Sequence, residues 1–161
     1  MGSNLGDRRR NLTAALALLR RLGRVVRPSR IYETAPVGYL NQGPFLNMVV
    51  EIRTTRAPAG VLAGAKAVER AVGRRTGGPR FGPRLLDVDL LLYSDQQIAL
   101  PGLTVPHPRL HRRAFVLAPL ADLAPGLVHP TLGVTVAELL GVLPTEGVRP
   151  VTPLTPNMCS W

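Results

Sequence analysis

The stretch Leu85-Leu86-Asp87-Val88-Asp89-Leu90-Leu91-Leu92-Tyr93 restricts the fold more than any other part of the chain. It reads as the strongest strand, and residues two apart in a strand project from the same face. Leu86, Val88, Leu90 and Leu92 therefore share one face, and the carboxylates of Asp87 and Asp89 share the other. Two carboxylates so placed repel each other, and burying them without a cation is costly. A divalent metal resolves the conflict, and Mg²⁺ typically takes one or two carboxylates plus substrate phosphates. The alternative is a strand whose polar face meets solvent or pairs with arginine. Spacing alone leaves both open.

Periodicity sets out the elements around this strand. Leu12, Leu16 and Leu19 recur at spacings of four and three, which predicts a helix from Arg8 to Leu22 with Asp7 as N-cap and Gly23 as stop. Val25 to Thr34 reads as a strand broken by Pro28, Tyr39 to Pro44 as a loop, and Phe45 to Thr54 as an alternating strand. Pro58 suits the first turn of a helix whose apolar face is Val61, Ala65, Val68 and Val72, ended by Gly73. Arg74 to Arg84 is a loop rich in Gly, Pro and Arg. Beyond Tyr93 come a turn at Ser94 to Gln96, a short strand near Ile98 to Leu100, a Pro-His loop from Val105 to Arg109 and a helix from Arg112 to Leu123. A last helix spans Thr135 to Leu143, with Thr135 and Glu138 at capping-box spacing. Pro144 to Trp161 reads as a Pro/Thr-rich tail, so residues 1–143 are expected to form the domain and 144–161 the tail. With a strand before the first helix, this order is a doubled β-α-β unit, the ferredoxin-like arrangement. Only Met1 precedes Gly2-Ser3-Asn4.

The charge bears on function. The 161 residues carry a formal net charge of +10, and Lys66 is the only lysine among 20 basic residues. A phosphate loop of the Walker type ends in Gly-Lys-Ser/Thr, whereas Lys66 sits in Ala-Lys-Ala, so that class of kinase is excluded. Phosphate binding must fall to arginine, which grips phosphate bidentately. Most of the arginines, taken singly, read as compositional bias. Cys159 is the single cysteine, which excludes an internal disulfide framework. No apolar run spans a bilayer and no secretory signal is evident, so a cytoplasmic protein without a membrane partner is expected.

Three further groups could carry chemistry. Arg74, Arg75, Arg80 and Arg84 precede the aspartates, a combination that suits a metal-bound polyphosphate. Taken without the aspartates, it is a solvated basic loop. His107, held between Pro106 and Pro108, could donate to a phosphate oxygen or move a proton, although a lone loop histidine is more often structural. Thr34 to Gly38 with Phe45 and Asn47 would suit a flat heteroaromatic ligand, but ordinary turn and core packing explain them equally well.

In order along the chain, Gly2-Ser3-Asn4-Leu5-Gly6, Tyr32-Glu33-Thr34-Ala35-Pro36, Phe45-Leu46-Asn47, Arg80-Phe81-Gly82-Pro83-Arg84-Leu85-Leu86-Asp87-Val88-Asp89 and Leu103-Thr104-Val105-Pro106-His107 resemble the 6-hydroxymethyl-7,8-dihydropterin pyrophosphokinase family of folate biosynthesis. The resemblance runs from Gly2 to about Leu143. It implies a ferredoxin-like α+β sandwich, an antiparallel sheet with helices packed on it, whose first strand is truncated here. It also implies transfer of pyrophosphate from ATP to the pterin hydroxymethyl oxygen, with release of AMP. Asp87 and Asp89 would bind two Mg²⁺ ions. Arg74, Arg84, His107 and Arg113 would contact ATP phosphates, with Glu69 in the nucleotide site and Arg84 and His107 counted with the aspartates as catalytic. Gly2, Thr34, Ala35, Pro36, Val37, Phe45, Asn47 and Phe115 would form the pterin pocket. Asp89 is a candidate proton acceptor of reduced basicity. A monomer with small-molecule substrates and no nucleic-acid partner is expected.

The chain departs from the family pattern at Thr76, where a second arginine is usual, at Phe81, where tryptophan is common, and in the shortened first strand. The last implies a misassigned start, a start further upstream, or an impaired form. Two alternatives follow. A basic ferredoxin-like nucleic-acid module fits the charge, but only 4% of residues are aromatic, too few for base stacking on the strands. The other is an inactive truncated enzyme.

Overall fold

The computed structural model describes residues 1–38, 40–74 and 82–151. Tyr39 and the loop residues Arg75, Thr76, Arg80 and Phe81 lie outside them. The elements are β1 (Gly2–Ser3), α1 (Arg8–Leu19), β2 (Arg24–Pro28), β3 (Ile31–Thr34), β4 (Phe45–Asn47), β5 (Val50–Arg53), α2 (Pro58–Ala71), β6 (Ile98–Leu100), β7 (Leu103–Val105), α3 (Ala114–Leu123), α4 (Val136–Gly141) and β8 (Val148–Val151). A four-stranded sheet has the order β1-β4-β3-β8, while β2 pairs with β5 and β6 with β7. Every pairing is antiparallel.

Local sequence accounts for the helices. Asp7 caps α1 by accepting from the Arg10 amide, and the Thr135–Glu138 capping box of α4 is complete. Helix α2 starts on Pro58, and Gly73 follows its end with φ +102°, a conformation that glycine adopts without strain. Gly23 does not stop α1, which ends four residues earlier at Leu19. Instead a Cβ at Gly23 would collide with the Arg53 carbonyl, so the glycine permits close approach to β5. Pro119 is accommodated inside α3, and a 3₁₀ turn at Leu110–Arg112 precedes that helix, which starts two residues later than expected.

The two long strands expected from Val25 to Thr34 and from Phe45 to Thr54 are each broken at the same level. The Ser29 amide donates to the Val49 carbonyl at 2.8 Å, and the Val49 amide donates to the Ser29 hydroxyl at 2.9 Å. A side-chain oxygen thus takes a ladder position, and the strands pass into separate sheets.

Leu85 to Tyr93 is a larger correction, because it forms no ladder. Asp87 makes one bridge with Gly2, its amide and carbonyl exchanging bonds of 2.8 and 2.9 Å. On the same side the Asn4 amide donates to the Arg84 carbonyl at 3.2 Å, but no second bridge forms among the described residues. Val148–Val151, expected as tail, is strand β8, paired to β3 from Val148 opposite Thr34 to Val151 opposite Ile31.

Two cores flank the strands. One gathers Leu12, Ala15 and Leu19 of α1, Ala65 and Val68 of α2, and Ile31, Leu46, Met48, Leu86 and Val88. The other gathers Val49, Leu110, Leu117, Leu120 and Leu123 with Val136 and Leu139 of α4. Met48 and Val49, adjacent in sequence, lie in different cores, as opposite faces of an extended chain require. The antiparallel strands therefore stand between a layer of α1 and α2 and a layer of α3 and α4. No described helix is long and apolar enough to cross a membrane.

Candidate active site

A cavity of about 410 Å³ opens where β1, β3, β4, the Asp87–Asp89 segment and the start of α3 converge. Of the residues singled out in the sequence, Gly2, Thr34, Ala35, Val37, Phe45, Asn47, Arg84, Asp87, Asp89, Arg113 and Phe115 line it. Pro36, Glu69, Arg74 and His107 do not. Glu69 and Arg74 stand behind Asp87, bonded to it in series.

The apolar end is built on two strands and a helix. Phe45 opens β4 and Phe115 lies in the first turn of α3. Between these elements Asn47 donates through Nδ2 to the Thr34 hydroxyl at 2.7 Å, which fixes the amide across β3 and β4. Gly2 is required beside it, because a Cβ there would overlap Asn47 Oδ1. Two aromatic side chains and a fixed amide in one cavity match a planar ligand with polar rim atoms.

The polar end carries both signs of charge. Asp87 accepts from Arg74 at 2.7 Å through one oxygen and from Arg84 at 2.8 Å through the other. Burial pushes its pKa up, but Arg84, then Arg74, and then Lys66 outweigh this and hold it below the ordinary carboxylate value. Asp89 is exposed on the cavity wall, and no hydrogen bond from a described residue reaches it. Among the described residues, the pairing with arginine foreseen as the alternative for the carboxylate face thus applies to Asp87 and not to Asp89. Arg109, Arg112 and Arg113 complete the wall, so cations outnumber anions, as a polyanionic ligand requires. Burial lowers the Arg113 pKa against the pull of Asp89, and its guanidinium lies 5.5 Å from the centre of the Phe115 ring.

His107 accepts from the Arg109 amide through Nδ1 at 3.1 Å, which leaves Nε2 as the protonated nitrogen of the neutral ring. Burial lowers its pKa, Asp89 opposes that, and Arg113 and Arg109 reinforce it. Among the described residues no cluster of three or more His, Cys, Asp or Glu side chains could hold a metal by itself. The donor set of Asp87 and Asp89 nevertheless fits a hard cation that takes its other ligands from phosphate and water.

Sequence reasoning missed several residues. Arg109 and Arg112 belong to the visible basic run after His107, but only the turn into α3 shows that they face the cavity with Arg113. Asn4, buried, accepts from the Arg84 amide at 2.8 Å and donates to Gln42 at 2.8 Å and to the Gly43 carbonyl at 3.3 Å. It ties the loop before β4 to Arg84, a link between residues far apart in sequence.

Residues 1–125 match the family described as 7,8-dihydro-6-hydroxymethylpterin-pyrophosphokinase. The chain is 43% identical over 151 residues to the 2-amino-4-hydroxy-6-hydroxymethyldihydropteridine pyrophosphokinase of Pseudomonas aeruginosa, covering 92% of each chain. It is 47% identical over 125 residues to the protein of the same name from Bacillus subtilis, covering 76% of this chain and 74% of that one. Among solved structures it resembles an HPPK-DHPS in complex with substrates, with a TM-score of 0.69 at 14% identity, over 87% of this chain and 42% of that one. The last likeness bears on fold and supports the ferredoxin-like α+β arrangement. The nucleic-acid module and the inactive remnant are not favoured. The motifs, the cavity they wall and these relatives agree: the chain belongs to the 7,8-dihydro-6-hydroxymethylpterin-pyrophosphokinase family, whose members transfer pyrophosphate to a pterin in folate biosynthesis.

Proposed function

We propose that the 410 Å³ cavity is where this chain performs the family's reaction, with the pterin at the Phe45–Phe115 end and the ATP triphosphate at the aspartate end. The observation that carries the reading is the single cavity lined by Phe45, Phe115, Asp87, Asp89 and four arginines.

Phe45 and Phe115 flank the pterin ring. Asn47, Thr34, Ala35, Pro36, Val37 and Gly2 shape the rim, and the Asn47 amide meets the ring's polar edge. Asp87 and Asp89 would hold Mg²⁺, two ions in this reading, and the metal would supply positive charge to offset that of the transferring group. Arg84 and Arg113 bind phosphate oxygens from the wall. Arg74 joins them once it shares Asp87 with a cation, still anchored to Glu69, which places Glu69 in the nucleotide site without direct contact. His107, neutral near pH 7 because burial lowers its pKa, offers Nε2–H to a phosphate oxygen. The pterin hydroxyl oxygen attacks the β-phosphorus in line and AMP leaves on the opposite side. The same reading takes the chain as a cytoplasmic monomer with small-molecule substrates and no nucleic-acid or membrane partner.

The experiment is AMP release from ATP by the purified chain, assayed with and without Mg²⁺ and with and without 6-hydroxymethyl-7,8-dihydropterin. Release that needs both is expected, and Asp89→Ala should abolish it with an unchanged melting curve. A well-folded chain that releases no AMP under these conditions would refute the proposal. Near-normal turnover in Asp89→Ala would reject the metal role.

A further inference from the structure

Val88 lies between the two aspartates and belongs to no strand, yet side chains of one helix meet both of its backbone polar groups. Its amide donates to Glu69 Oε1 at 2.7 Å, and its carbonyl accepts from Lys66 Nζ at 3.2 Å. Lys66 and Glu69 are themselves joined at 2.6 Å and stand three residues apart on α2, so they project side by side. Helix α2 thus presents Val88 with an acceptor and a donor, as a neighbouring strand would.

Consecutive residues of an extended chain turn their amide and carbonyl to opposite sides. Asp87 exchanges both of its bonds with Gly2 on one side, while Val88 is held by α2 on the other. The far oxygen of Glu69 holds Arg74 at 2.7 Å, and Arg74 holds Asp87 at 2.7 Å. Glu69 is 4% exposed, so its carboxylate depends on these three donors.

We propose that Lys66 is a positioning residue of the metal site: by closing the Lys66–Glu69 clamp on Val88, it fixes the backbone from which Asp87 and Asp89 project. The inference rests on the reading of the two aspartates as metal ligands.

Composition points the same way. Lys66 is the one lysine among 20 basic residues. An ammonium is a compact donor that can aim at two acceptors in different directions, whereas a guanidinium is a planar fork. The position that departs from arginine is the one wedged between a carboxylate and a carbonyl.

Charge alone and positioning predict opposite signs. Lys66 is a cation whose field reaches Asp87, so its removal should tighten divalent-ion binding if electrostatics were its whole effect. Loss of the clamp should weaken it.

The test titrates Mn²⁺ into the full chain with ATP and follows the free-ion electron paramagnetic resonance signal, for the unaltered chain and for Lys66→Met. Binding about tenfold weaker in the variant is expected, the range found when groups that orient metal ligands are removed. Unchanged or tighter binding by the variant overturns this inference alone. No Mn²⁺ binding by the unaltered chain removes the metal reading and the inference with it. Amide exchange of Val88 in the unaltered chain gives a readout that does not depend on the variant folding. Slow exchange is expected although the residue lies in no ladder, and exchange at the rate of an exposed amide would overturn the clamp.

Discussion

At the residue scale, much of the candidate site is legible because short motifs carry whole functions. Asp-x-Asp in an extended segment puts two carboxylates in one cavity, as its period requires. The residues behind the cavity were harder to place. Glu69 matches the family pattern, but its grip on Val88 depends on where α2 docks, and Asn4 acts only through residues distant in sequence. A second ionic link, at the surface, shows how such contacts act on stability. Arg30 donates to both oxygens of Asp122 at 2.6 to 3.2 Å, and the Tyr32 hydroxyl donates at 3.0 Å, joining β3 to α3. Burial raises the Asp122 pKa, but the bonds from Arg30 and Tyr32 outweigh it and lower the value below the ordinary one. A carboxyl with a depressed folded-state pKa contributes stability above its unfolded value, near 3.9, and loses that contribution as pH falls through the folded value. Chemical denaturation at about pH 6 and about pH 3 should therefore show a larger acid loss for the unaltered chain than for Asp122→Asn. Equal losses would mean that the pair contributes nothing.

At the element scale, helices were more legible than strands. Helix signals are local: Asp7, Pro58, Gly73 and the Thr135–Glu138 box each act within a turn or two of their own position. Helix α4 is six residues long, too short to stand on propensity, so its cap and its packing through Val136 and Leu139 carry it. Thr135→Ala removes the hydroxyl that accepts from the Glu138 amide at 3.2 Å and should lower stability by about 1 kcal/mol, read as a reduced denaturant midpoint at constant slope. Strands depend on partners. Leu85 to Tyr93 has every local attribute of a strand, but among the described residues its one bridge is to Gly2; α2 side chains hold Val88, and the His107 amide donates to the Leu91 carbonyl at 2.8 Å. The break at Ser29 and Val49 was likewise invisible, because it needs a hydroxyl on one strand to face an amide on the other.

At the scale of the whole molecule, the strand that carries one wall of the cavity is supported by the far end of the described chain. Strand β8 pairs along β3, and the Gly147 carbonyl accepts from the Ala35 amide at 3.3 Å, beside Thr34 and Ala35 of the proposed pterin pocket. Val151 packs against the first core. Ending the chain at Leu143 should leave β3 with an open edge, lower the melting temperature and raise KM for the pterin, while the Mg²⁺ dependence stays as it was. Unchanged melting and KM would show that β8 is dispensable and that residues 1–143 suffice. Composition suggested a tail because Pro and Thr carry no strand period, whereas pairing needs only that the backbone lie alongside a free edge. The sequence by itself determined where the helices fall, the start signals of α1, α2 and α4, the exclusion of a Walker-type phosphate loop and most of the residues that wall the cavity. Each of these follows from residue type and local spacing. Only the tertiary structure decided which backbone groups are satisfied by which partners: Asp87 by Gly2, Val88 by Lys66 and Glu69, Arg84 by Asn4, and β3 by β8. Hydrogen bonds between distant segments leave no period in the chain that makes them.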